Sequence, residues 1–289
     1  MLFLLFNVVF ASAFTLIIKW VQVREREDII TVGAINYIVA AVWILPEFIQ
    51  TDFTGDISPA LLTGGVMGAC YFIAFFFVIY AILWIGAASA TVVGALSILM
   101  PIACGIFIWN EHPNSFQLIG VGLATASLML VSGRQKPTSP EKPDDSDSTT
   151  RRWFRPLILV SFFLLAGLAR LSQEAFKHES TADHRPMFLF SAFAVAAVPS
   201  LILLIVRRRR IGLSALALGF FMGASNILQT HFILRALKDY EGFVVFPVSS
   251  AGCLLLTTLV ATFALGEYLD RRKWSGILMA VIALVLLNW

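Results

Sequence analysis

Ten apolar runs, each near the length needed to cross a bilayer, follow one another along this 289-residue chain with few polar residues between them. A transmembrane helix needs about 20 such residues. That criterion places spans at roughly 1 to 20, 29 to 49, 58 to 83, 85 to 109, 115 to 133, 154 to 176, 186 to 206, 213 to 237, 242 to 265 and 272 to 289. Composition agrees, because hydrophobic residues make up 58% of the chain, charged residues 13%, and the mean hydropathy is +0.84, outside the range of a soluble domain. A net charge of +3 with the bases scattered over short loops argues against a nucleic-acid partner. Met1 opens directly into the first run with no small-residue cleavage site behind it, so that run reads as a retained helix rather than a signal peptide.

The phrase GGVMGA at Gly64 to Ala69 returns half a chain length later as GFFMGA at Gly219 to Ala224. Ala81 and Ala236, Glu111 and Glu267, and Gly120 and Gly276 keep that spacing to within one residue. Self-similarity at a constant offset means one unit used twice: repeats at 1–133 and 153–289, joined by a polar linker at 134–152 rich in Pro, Ser, Asp and Lys that can bury nothing. Five spans per half force the second unit to enter the membrane in the opposite sense. The expected fold is therefore an all-α membrane protein of ten transmembrane helices arranged as two inverted five-helix repeats, with a shared site near the midplane. Gly64 and Gly68, like Gly219 and Gly223, stand four apart on one helix face, where a neighbouring backbone can approach. Spans three and eight should then be symmetry mates. Trp20, Trp84, Trp109, Trp153, Trp274 and Trp289 fall at span ends, the interfacial position their rings prefer, and Trp43 lies inside a span.

With this frame the chain resembles the EamA-type ten-span members of the drug/metabolite transporter superfamily. The likeness is carried by a lysine closing the first span of each half (Lys19, Lys177), by Asn110-Glu111 and Gly266-Glu267 at the ends of spans four and nine, and by the Gly-bearing helices that follow (Gly120, Gly276). Pro101 in span four has no counterpart at the matching place, where Pro247 comes earlier in its span, and Asn36 stands in span two where an arginine would be expected. The resemblance implies solute transport through a central cavity and names no substrate.

Ionisable groups inside a bilayer face a cavity or a partner. Arg170 and Glu174 share a face of span six and can neutralise each other, and Ser172, Gln173 and Lys177 make that end of the helix polar. Lys19 and Lys177 either reach to the interface or join Arg170 in a positive cavity suited to an anionic or zwitterionic solute. In span eight Asn226, Gln229 and Thr230 fall on one face beside His231, and substrate contact is the preferred reading over hydrogen bonding between helices. Asn7 and Tyr71 complete the cavity candidates. Glu174, alone or with His231, is the candidate for proton coupling. Glu111 and Glu267 read as caps on the helix that follows each of them.

Cys70, Cys104 and Cys253 lie inside apolar runs without metal-ligand spacing and read as small core residues. His112, His178 and His184 are assigned to loops. No HExxH, GxSxG or phosphate-cradling glycine loop occurs, so the expectation is a non-enzymatic protein without cofactor or metal, sufficient as a monomer. It would carry a small polar metabolite across the cell (inner) membrane. The alternatives are an intramembrane lipid-modifying enzyme or a non-transporting membrane scaffold or sensor. Basic residues crowd the loops after odd spans, including Arg24, Arg26, the linker region, Arg207 to Arg210 and Arg271 to Lys273, against only Lys177, Arg185, Arg235 and Lys238 after even spans. That bias puts the linker in the cytoplasm and both termini outside, whereas the family resemblance implies cytoplasmic termini.

Overall fold

The computed structural model describes residues 1–24, 28–51, 53–84, 87–132, 148–208, 211–265 and 271–287. Within them the chain is helical: α1 (Leu2–Arg24), α2 (Ile29–Gln50), α3 (Ser58–Trp84), α4 (Ala87–Leu96), α5 (Leu99–Phe107), α6 (Ser115–Ser132), α7 (Ser148–Glu179), a 3₁₀ turn (Ala182–His184), α8 (Arg185–Arg207), α9 (Leu213–Asp239), α10 (Gly242–Leu265) and α11 (Arg271–Leu287). Each of the ten expected stretches is mainly helical where it is described, the fourth with an interruption at 97–98. Among the described residues, seven helices are long and apolar enough to cross a membrane (α1, α2, α3, α7, α8, α9 and α10), and 92–107 and 115–131 are shorter apolar helices. Most of the expected linker, together with Glu267 and Trp289, lies outside the described residues. α7 begins at Ser148, inside the stretch read as linker.

The expected fourth span is not one helix but two, α4 and α5, and proline chemistry explains the break. Pro101 has no N–H to give the carbonyl four residues back, that of Ser97, and its ring crowds that carbonyl. The backbone tightens there, with Ile98 bonding to Ala95 and Met100 to Ser97, each at 3.3 Å. Gly94 is left with a free carbonyl, which accepts from the Ser97 hydroxyl at 2.7 Å and from Arg170 Nη1 at 3.0 Å.

α8 buries one face against its neighbours. Met187, Phe188, Leu189, Ala192, Phe193 and Ala196 are fully buried, and the helix packs between α2 and α3. The two glycine pairs form these seams. A Cβ on Gly64 would collide with the Phe188 carbonyl and one on Gly68 with that of Ala192, both on α8. A Cβ on Gly219 would strike Ile35, and one on Gly223 would lie 2.7 Å from the Asn36 carbonyl, both on α2. At Gly64, Gly68 and Gly223 the missing side chain lets two backbones approach, and at Gly219 it makes room for the Ile35 side chain. Large apolar residues cover the outside, as Phe107, Leu213 and Phe263 show, each more than four-fifths exposed. An apolar exterior of this kind suits hydrocarbon rather than water.

Two caps fix helix starts. Asp28 accepts from the backbone N–H of Ile30 and the Thr31 hydroxyl at the start of α2, and Arg207 at the end of α8 pairs with it at 2.5 Å. Asn114 and Gln117 exchange side chain to backbone bonds of 2.9 and 2.8 Å at the start of α6, a reciprocal capping box. Glu111 is therefore not the cap of the helix that follows it.

Candidate functional site

Glu111 instead reaches into the other half of the chain. Its Oε1 accepts from Lys177 Nζ at 3.0 Å and from the backbone N–H of Gly242, the first residue of α10, at 3.3 Å. The positive end of a helix dipole thus faces the carboxylate. Lys177 also contacts Glu174 at 3.5 Å, one turn back on α7, and Glu241 in the turn between α9 and α10. His178 Nε2 lies 3.3 Å from Glu174 and 3.7 Å from Glu111, and its ring stacks on Trp109 with centroids 4.7 Å apart. Two glycines make room, since a Cβ on Gly105 would sit 3.1 Å from the Glu111 carboxyl carbon and one on Gly242 2.6 Å from that of Glu174.

Three carboxyl groups share one ammonium here, and the second oxygens of Glu111 and Glu174 are buried without a partner. Burial alone would raise the Glu111 carboxyl, but hydrogen bonds with the Glu241 and Glu174 carboxyls and the charge of Lys177 outweigh it and hold Glu111 at about 2. Glu241 moves the other way, pushed above the usual carboxylate range chiefly by its hydrogen bond with Glu111 and also by burial. The chemistry is that of carboxyls in contact: ionising one disfavours ionising its neighbour. Glu111, Glu174 and His178 present donor atoms within 4.8 Å of one another, a set chemically able to ligate a metal ion. In this structure the cation they surround is the Lys177 ammonium.

Deeper in the bundle, polar side chains from the two halves meet. Asn226 Nδ2 on α9 donates to Asn36 Oδ1 on α2 at 3.1 Å and accepts from Gln229 Nε2 at 3.0 Å. Thr230 back-bonds to the Asn226 carbonyl at 2.9 Å. Asn7 on α1 donates to the Gln229 carbonyl at 2.8 Å and accepts from the Ser249 hydroxyl on α10. Tyr71 on α3 lies 3.4 Å from Gln173 Nε2 on α7, and its carbonyl accepts from Tyr37 at 3.1 Å. Asn7, Asn36, Gln173, Asn226 and Thr230 are almost completely buried. Unbonded, such groups would be costly in an apolar surround.

Of the residues expected in a cavity, Asn7, Asn226, Gln229 and Thr230 are joined in one network, and Tyr71 in a second with Gln173. Arg170 and Glu174 do not pair, contrary to expectation. The guanidinium goes to Gly94 and Ser97 at the α4–α5 break, and the carboxylate goes to Lys177 and His178. The break supplies the stronger attraction for Arg170, because its carbonyl has lost its helical donor. Lys19 does not join Lys177 and Arg170 either. The N-terminal ammonium of α1 bonds to the Tyr240 hydroxyl at 2.9 Å, beside Glu241, and Lys19 is about 27 Å further along that helix at 1.5 Å per residue. His231 is half-buried and packs edge-on against Phe232. His178 is helical rather than in a loop, and with Glu241 and Glu111 it belongs to a cluster that sequence reasoning did not assemble. The i, i+4 spacing of Glu174 and His178 was its one local signal.

Residues 1–133 match the EamA-like transporter family. That family belongs to the drug/metabolite transporter superfamily. An uncharacterized protein of Haemophilus influenzae strain Rd is 24% identical over 301 residues, spanning 99% of this chain and 97% of that protein. A solved protein crystal structure superimposes with a TM-score of 0.73 at 13% identity, over 99% of this chain and 94% of its own, a likeness of fold alone. Its run of long apolar helices agrees with a multi-pass membrane protein.

Proposed function

We propose that the protein moves a small polar metabolite, such as an amino acid or organic acid, across the cell membrane by alternating access between two inverted five-helix halves. The observation that carries this reading is that ion pairs bridge the halves at one end of the bundle, with Glu111 from one half set against Lys177, Glu174 and Glu241 from the other. A rigid scaffold would gain more from apolar residues of similar volume, because desolvating ions offsets most of their attraction. An ion-pair closure can instead be exchanged for water when the halves part.

Packing supports the inverted arrangement. α3 lies on α7 and α8, and α9, its expected mate, lies on α1 and α2, while α6 and α11 lie against each other. Exchanging the halves reproduces these contacts, as a twofold axis in the membrane plane requires. In this reading the Asn7, Asn36, Asn226 and Gln229 network, with Tyr71 and Gln173, is the midplane surface that a solute meets when the halves rock.

The test is uptake from a metabolite mixture into liposomes holding the purified protein, read by mass spectrometry of the lumen. Accumulation of a defined polar solute, reduced at least tenfold by Asn226→Ala with the protein still folded, is the expected result. No uptake of any solute, with the folded protein oriented both ways, would overturn the reading.

A further inference from the structure

The side of the bundle that the sequence leaves poor in basic residues carries Lys177, Arg185, Arg235 and Lys238 in its loops and helix ends. All of them line one pocket of about 320 Å³ between the end of α7, the start of α8 and the end of α9. Topology does not require bases on this side, since the charge bias that orients the chain is met by the opposite loops. Their convergence calls for another cause.

Their partners are unevenly distributed. Lys177 is held by acids on its far side, and Arg185 shares one nitrogen with Glu47 at 3.4 Å. The Nε of Arg185 is buried without a hydrogen-bond acceptor. Arg235 lies close enough to Arg185 for the two charges to repel, although Glu47 and Asp183 also act on Arg185, and Arg235 rests 5.5 Å above the Phe3 ring. Among the described residues neither Arg235 nor Lys238 has an acidic partner. Like charges set side by side around a small recess, one with a buried donor unused, are stabilised when an anion enters.

The geometry points to this pocket as a binding site for the carboxylate or phosphate group of a soluble anion, Arg185 and Arg235 gripping its oxygens and Lys238 guarding the mouth. The site deepens the transporter reading by making the solute an organic acid, or a phosphorylated one, captured at this end before it meets the midplane network. Apolar walls from Phe176 and Leu237 leave space for a short carbon chain.

The test uses the full chain in nanodiscs of phosphatidylcholine, with inorganic phosphate and succinate as probes, chloride as the control, and thermal unfolding as the readout. A saturable rise in melting temperature is expected with one or both probes, weakened about tenfold or more by Arg235→Gln or Lys238→Gln, as loss of one charged hydrogen bond implies. Arg235→Lys should recover part of it. Lys238 is exposed, so its replacement leaves the fold in place. Probes without effect, or an effect unchanged in both variants, would overturn the site. So would stabilisation seen only after phosphatidylglycerol is added, which would assign the charges to a lipid headgroup. Binding without uptake in liposomes would sink the transporter reading and leave this site standing. Uptake of a solute indifferent to both variants, with no anion bound, would do the reverse.

Discussion

Lys177 and Glu111, 66 residues apart in the chain, meet at 3.0 Å, and through that contact the turn after α5 is fastened to the end of α7. Lys177 is the ammonium that three carboxyls share, two of them buried. Removing it as Lys177→Met should cost about 3 kcal/mol, the scale for stranding buried charge. Thermal unfolding in detergent should show a lower midpoint, and the double variant with Glu174→Gln should recover part of the loss. A double variant as unstable as the sum of the two singles would mean the pair is not coupled.

Acid should loosen the same fastening in a defined window. The Glu111 carboxyl, ordinarily at 4.5, is held at about 2 in the folded protein. A depressed acid contributes stability that is complete above its unfolded value and lost as pH falls through its folded one. The Glu111 contribution should therefore be flat from pH 8 to 5 and decline between about 4.5 and 2, by about 1–2 kcal/mol after screening at this half-wetted end. Glu111→Gln should abolish that acid dependence. Glu241 has the opposite sign: its raised carboxyl favours folding below its ordinary range, and the gain is lost as pH rises through the folded value. Glu241→Gln should thus leave stability at pH 7 unchanged or higher, where Glu111→Gln lowers it.

The glycine seams make a sharper structural test. Gly68→Ala must drive a methyl into the Ala192 carbonyl, and Gly223→Ala must drive one into the Asn36 carbonyl and the Val39 side chain. Neither obstacle is the flexible end of a side chain, so α3 must move off α8, or α9 off α2. Each should lower the unfolding midpoint strongly or prevent recovery of folded protein. Gly65→Ala is the matched control, because its nearest atom would be the Ser191 hydroxyl at 3.5 Å, an ordinary contact. Equal behaviour of Gly65→Ala and Gly68→Ala would mean the seam is wrongly placed.

Much of this fold is legible in the sequence because the signals are local. Apolar run length marks the helices, and the two GxxMGA phrases mark the close seams that α3 and α9 form. The break at Ser97 was also written locally, in Pro101, although a run-length criterion reads straight across it. The charged cluster was not legible. Glu111, His178 and Glu241 lie on three separate stretches, and only the tertiary path brings α5, α7 and α10 to one end. The expected Arg170–Glu174 pair is permitted by helical spacing, but Arg170 finds its partners across the bundle at the α4–α5 break, and Glu174 finds Lys177 and His178 one turn further along α7. The Asn226 cluster is legible as polar, whereas its partner Asn36 stands out in the sequence only as a departure from a family pattern.

Asn36 and Asn226 therefore offer the test that separates packing from function. Each single change to leucine strands a buried amide, Asn36 losing the donor at 3.1 Å or Asn226 its acceptor. Hydrogen bonds between helices in a bilayer are worth about 0.6 kcal/mol on average and reach about 1.7, so each single variant should lose stability on that scale. The double variant Asn36→Leu with Asn226→Leu should regain part of it, since two apolar groups replace two satisfied polar ones. If the pair serves packing alone, liposome uptake returns together with the unfolding midpoint. If it forms the surface a solute touches, the midpoint returns and uptake does not, and that second outcome is the one the proposed midplane site requires.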